Sequence, residues 1–72
     1  MEDDPIVYLA TVPNEPLALM FAEALEDAGI RTMVKAAGPG FGGWGSAATF
    51  EHELYVLQSQ FAGAEEILRE LV

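Results

Sequence analysis

The chain has 72 residues, no cysteine, and twelve acidic against three basic residues, for a formal charge of -9. That length holds one domain, residues 1–72, whose core at this size supplies only about 3–5 kcal/mol. The composition rules out disulfides, thiolate metal sites and a cysteine nucleophile, and the charge argues against phosphate backbones and anionic lipid surfaces as partners.

At 51% hydrophobic the chain is rich in apolar residues for so small a core, which points to self-association as a supplement to packing. No apolar run approaches the roughly 20 residues of a membrane span. The first residues, Met1-Glu2-Asp3-Asp4, are acidic where a secretory signal is basic, so a cytoplasmic protein is expected. Glu2, Asp3 and Asp4 read as a solvated lead-in.

Ile6 to Val12 is β-branched and aromatic, a strand by composition. Strict alternation places Val7, Leu9 and Thr11 on one face and Ile6, Tyr8, Ala10 and Val12 on the other. Both faces are apolar, so the strand lies between two layers or hides one face against a partner.

Pro13 to Ile30 follows as a helix and its exit. Leu17, Phe21, Ala24, Leu25 and Ala28 form one stripe at 3.6 residues per turn. Asn14 suits the N-cap, Pro16 sits in the first turn where its missing N–H costs nothing, and Gly29 supplies the left-handed stop. A second strand, Ile30 to Ala36, alternates Ile30, Thr32 and Val34 against Arg31, Met33 and Lys35. A third, His52 to Leu57, turns Leu54 and Val56 inward and Glu51, Glu53 and Tyr55 outward. Pairing of Arg31 or Lys35 with Glu51 or Glu53 follows as a register expectation. Ser59 is expected to cap a second helix with the stripe Phe61, Ala64, Leu68 and Leu71 and with Ile67 alongside. Glu65 and Arg69 have the spacing of an i,i+4 pair in the favourable order.

Between the second and third strands lies Ala36 to Phe50, with five of the seven glycines and with Phe41, Trp44 and Phe50. Connections of this length are functional or disordered. Gly38, Gly40 and Gly43 satisfy G-x-G-x-x-G, but Gly42, Gly43 and Gly45 forbid the helix that a dinucleotide site requires, and the lysine of a phosphate loop is absent. Phe41 and Trp44 either fold back as a lid on the core or present an apolar tip to a partner.

His52 is the one histidine, with no H-x-H or H-x-x-x-H partner, so no metal site is expected. It reads as a solvated strand-end residue among carboxylates. Ser46, Thr49 and Ser59 have no neighbouring base and no nucleophile elbow, so no catalytic residues are assigned and no cofactor is expected.

The runs Thr11-Val12-Pro13-Asn14-Glu15-Pro16-Leu17-Ala18 and Ala24-Leu25-Glu26-Asp27-Ala28-Gly29-Ile30 recur in a known pattern. A strand, a glycine loop, Glu53-Leu54-Tyr55-Val56 and Ala64-Glu65-Glu66-Ile67-Leu68 complete it. Together they resemble a prokaryotic signal-transducing family of small domains of unknown function, over nearly the whole chain. The resemblance rests on structural positions and implies a ferredoxin-like or PII-like α+β fold. In PII proteins a long loop after the second strand contacts partners, and Ala36–Phe50 corresponds to it in place. Some relatives carry a cysteine-based zinc module, which a chain without cysteine lacks. No binding residues transfer from the family.

The expected architecture is therefore α+β, in the order β-α-β-β-α. A three-stranded antiparallel sheet of order 1-3-2 carries both helices on one face, ferredoxin-like without its last strand. The expected core is Val7, Leu9, Leu17, Phe21, Leu25, Ile30, Val34, Leu54, Val56, Leu68 and Leu71. The expected function is non-catalytic. It is a regulatory or interaction module, in signal transduction if the resemblance holds, binding a protein partner or small ligand through the loop and the open sheet face. Gly40, Phe41, Gly43, Trp44, Tyr8 and Tyr55 are the candidate contact residues. A purely structural homodimer, or a subunit of a larger assembly, with no ligand is the alternative, and a homodimer built on the first strand, the open face, or both is expected.

Overall fold

The computed structural model describes residues 3–36 and 51–71. The elements follow in the order β1 (Ile6–Val12), α1 (Glu15–Asp27), β2 (Thr32–Ala36), β3 (His52–Leu57), a 3-10 turn (Gln58–Gln60) and α2 (Phe61–Leu71). The strands form one antiparallel sheet in the order β1-β3-β2. This is the expected α+β topology, and it agrees with a ferredoxin-like arrangement in which α1 carries the chain from β1 over β3 to β2.

Both helices pack on the same sheet face. Val12, Leu54, Ala18 and Phe21 form one buried cluster, with Leu9, Leu17 and Leu68 against it. Leu25, Ile30, Val56 and Ala64 form the other, joined by Val7, Leu9, Phe61 and Ile67. Leu9 belongs to both, so the two clusters are one core.

α1 starts and stops as its sequence dictates. Asn14 is extended, and its Oδ1 accepts from Leu17 N at 3.0 Å. At the other end Gly29 has φ 86°, a conformation cheap only without a Cβ. Gly29 N donates to Glu26 O at 2.9 Å and Ile30 N to Leu25 O at 3.0 Å. Those two bonds, with Leu25 and Ile30 in one apolar cluster, make a Schellman cap. The buried stripe is Ala18, Phe21, Ala22 and Leu25. It is rotated from the expected one because Ala18 and Ala22, with no bulk, let α1 sit close to the sheet, whereas Ala28 is exposed.

Several expectations need correction. In β1 a bulge between Tyr8 and Ala10 shifts the register, pairing Val12 with His52 and Thr11 with Glu53. The extra residue flips the alternation, so Val12 is buried and Thr11 exposed. β2 begins at Thr32 rather than Ile30, because the amides of Ile30 and Arg31 are engaged by Leu25 O and Gln60 Oε1. Val34, at 37% exposed, and Leu71, at 41%, fall outside the core. Val34 lies on an outer strand, and Leu71 on the last turn of α2.

Ser59 is not the N-cap of α2, since a 3-10 turn intervenes. Its N and Oγ instead donate to the Asp4 carboxylate at 2.9 and 2.7 Å. Gln58 N donates to Pro5 O at 2.8 Å. The acidic lead-in is thus partly structural: Asp4 caps the entry to α2 from the far end of the sequence. His52 is 3% exposed, on the core face with Leu54 and Val56.

The register expectation holds in part. Lys35 lies opposite Glu53, but Glu53 Oε1 accepts from Tyr55 OH at 2.7 Å, and no Lys35–Glu53 ion pair forms. Arg69 and Glu65 approach to 3.9 Å, both largely exposed, so the pair adds little stability.

Two measurements check this architecture. Phe21→Ala is expected to cost about 3–5 kcal/mol in denaturant unfolding while Glu23→Ala changes the midpoint little; equal effects would overturn the helix phase. The bonds from Ser59 hold the Asp4 carboxyl below its ordinary value of 3.8. The clasp is therefore complete above that pH and is lost as pH falls through the lowered value. Amide exchange at Ser59 is expected to quicken there, and Asp4→Asn to remove the pH dependence.

Candidate functional site

With both helices on one face, no element among the described residues covers the other face of the sheet. β1 places Ile6, Tyr8 and Thr11 there, β3 places Glu53, Tyr55 and Leu57, and β2 places Met33 and Lys35, as the cross-strand partners show. Ile6 is 52%, Tyr8 51% and Met33 55% exposed. Here large apolar side chains gather on one face at that exposure, whereas single exposed ones would need no explanation.

Tyr8 and Tyr55 are register partners, with ring centroids 6.0 Å apart and planes at 77°. This is an edge-to-face pair, favoured by the ring quadrupoles. Each phenol is held by its own strand. Tyr8 OH and Thr11 Oγ1 are 2.7 Å apart, and Tyr55 OH donates to Glu53 Oε1 at 2.7 Å. The bulge makes the first bond possible by turning Thr11 onto the open face. Two tyrosines so fixed lose little side-chain freedom on binding.

At the α1 end this face deepens into a notch of about 470 Å³. Ile6, Met33, Tyr55 and Leu57 line its apolar side, and Glu26, Gly29, Arg31 and Thr32 also line it. The notch exists because β2 stops one residue short of Leu57. Arg31, which would continue the strand, is held in the turn by the Gln60 side chain. Gln60 Oε1 accepts from Arg31 N at 3.0 Å, and its Nε2 donates to Gly29 O at 3.1 Å.

Of the candidate contact residues, Tyr8 and Tyr55 are brought together, whereas Gly40, Phe41, Gly43 and Trp44 lie outside the described residues. The question of a lid or tip in Ala36–Phe50 lies there too. Among the described residues no group of three His, Cys, Asp or Glu could hold a metal ion, and no helix is long and apolar enough to cross a membrane.

Sequence reasoning missed three things. His52 is buried, and every buried side-chain polar atom among the described residues is satisfied. The alternation that sends Leu54 and Val56 inward also sends His52 inward, so the signal was present. Gln60 and Asp4 act across gaps of about 30 and 55 residues, and no local pattern announces such bonds. The notch needs the tertiary fold to exist at all.

The Glu53 hydrogen bond, then partial burial, raise the Tyr55 phenol above its ordinary value of 10.0. The fold favours the neutral, donating phenol, so this contribution is complete below pH 10 and fades as pH rises beyond it. Glu53→Gln is expected to bring the Tyr55 ionisation back toward 10, read by ultraviolet or NMR titration. An unchanged titration would show that the bond is not formed in solution.

No family model, curated protein or solved structure matches the chain.

Proposed function

We propose that this chain is a non-catalytic interaction module whose working surface is the open sheet face, and that the occupant of that face is a second copy of the chain. The observation that carries the reading is the charge distribution around the apolar row. Two of the three basic residues, Arg31 and Lys35, lie on or beside this face. Glu53 lies opposite Lys35, and Glu26 lines the notch together with Arg31. A chain of net charge -9 is therefore close to neutral on this face, where the large exposed apolar side chains Ile6, Tyr8 and Met33 gather. Two copies meeting through this face keep most of their carboxylates apart, and salt screens the remainder within about 8–10 Å.

The outer edge of β1 supports assembly less than its sequence suggests. Among the described residues β1 pairs only with β3, but the bulge in its middle twists that edge and interrupts a regular ladder. The face is the better contact. Three strands about 4.8 Å apart and roughly 20 Å long present only about 300 Å² of sheet per partner, below the roughly 1,000 Å² over both partners of a specific, stable interface. The assembly is accordingly a weak one, controlled by concentration. A role in signal transduction, which the family resemblance suggests, fits a module that switches between free and assembled forms.

Sedimentation velocity across the micromolar range at moderate salt is expected to show a concentration-dependent shift from monomer to dimer. Tyr8→Lys is expected to remain folded but monomeric, with the unfolding midpoint lowered by loss of the Tyr55 ring contact. A strictly monomeric wild type at high micromolar concentration would overturn the reading.

A further inference from the structure

The notch at the α1 end of the open face carries a second feature. Its lining is mostly apolar, yet two opposite charges, Glu26 and Arg31, are among the residues that line it. Neither the Glu26 carboxylate nor the Arg31 guanidinium has a hydrogen-bond or ion-pair partner among the described residues. The backbone between them is held by the cap at Gly29 and by both ends of the Gln60 amide. The volume of about 470 Å³ lies within the roughly 300–1,000 Å³ of small-molecule sites.

A complementary ligand carries an anionic and a cationic group a short distance apart and an apolar body beside them. We propose that the notch binds a zwitterionic α-amino acid with an apolar side chain. Its carboxylate meets Arg31, its ammonium meets Glu26, and its side chain lies against Met33, Tyr55 and Leu57. A ligand carrying only a carboxylate would meet Arg31 but also the field of a chain at -9. One carrying only an ammonium would leave Arg31 facing a cation. The zwitterion satisfies both charges and adds no net charge.

The same side chains serve the self-association face, so ligand and second copy compete for them. By linkage, a ligand that binds the monomer weakens the dimer, and dimerisation weakens ligand binding by the same factor. This regulatory half rests on the self-association reading, and the binding half does not.

The test has two arms. In the first, dilute protein is titrated with L-leucine or L-phenylalanine and followed by NMR at the Met33 methyl and the Arg31 amide. Saturable shifts are expected, weakened about fivefold in Arg31→Gln and in Glu26→Gln, the upper end for one exposed ion pair. Both variants keep the backbone bonds of the turn, and the wild-type fold is checked in the same spectra. Leucinamide, lacking the carboxylate, and 4-methylpentanoate, lacking the ammonium, are expected to bind more weakly than leucine. Absence of shifts on dilute, monomeric protein with ligand raised to about 10 mM, equal binding of either analogue, or unchanged binding by both variants would overturn the site. In the second arm, sedimentation at high micromolar protein is expected to move toward monomer as leucine is added. A dimer unaffected by bound ligand, or a protein monomeric throughout, would overturn the regulatory half and leave the first arm to decide the site alone.

Discussion

The side-chain amide of Gln60 closes the turn on which three elements depend. Its oxygen accepts from Arg31 N and its nitrogen donates to Gly29 O, so the exit of α1, the entry of β2 and the entry of α2 meet at one residue. Both bonds are solvent-exposed, so each contributes about 0.5–1.5 kcal/mol net rather than a burial penalty, still a noticeable share of what a domain this size has available. The Schellman bonds at Gly29 set the direction in which the chain leaves α1. Gln60 then fixes where the strand may begin, and the notch on the open face is the space this leaves. Gly63 sits on the same junction, where a Cβ would meet Ile30 Cδ1 at 3.8 Å. That is ordinary contact, so the glycine is tolerated there rather than required.

A second long-range tie lies beside the first. Asp4 receives both Ser59 donors, and Pro5 O receives Gln58 N. β1 is thereby held at its start to the segment that follows β3, in addition to its ladder with β3. In a sheet of three strands, with one face uncovered, such ties replace part of the packing that a larger domain obtains from a second layer.

The distribution of charge and apolar surface follows from the same economy of elements. Two short helices cover one sheet face and no more, so Ile6, Tyr8 and Met33 are left at about half exposure. Most of the acids fall on helix exteriors and ends, where they are solvated. The open face retains the basic residues of β2 and its approach, and the tyrosine pair stands in the middle. An apolar surface with little net charge inside an acidic molecule is the physical basis for the interaction role proposed above.

The sequence by itself determined the elements, their order and most of their ends. Asn14, Pro16 and Gly29 act within a few residues of where they stand, and helix and strand periods are local properties of the backbone. Tyr8 and Tyr55 were legible as open-face residues, although not as a touching pair. Tertiary structure alone decided the bulge near Leu9, which sends Val12 rather than Thr11 into the core, because a bulge reflects the fit of one strand to its neighbour. It also decided that Asp4 and Gln60 are structural, since their partners are remote in sequence and polar side chains carry no mark of the bonds they will make. The notch belongs to this second class: Glu26 reads as a solvated helix charge and Arg31 as a cross-strand partner of Glu51 or Glu53, and only the cap that folds α1 back onto β2 brings both to the notch.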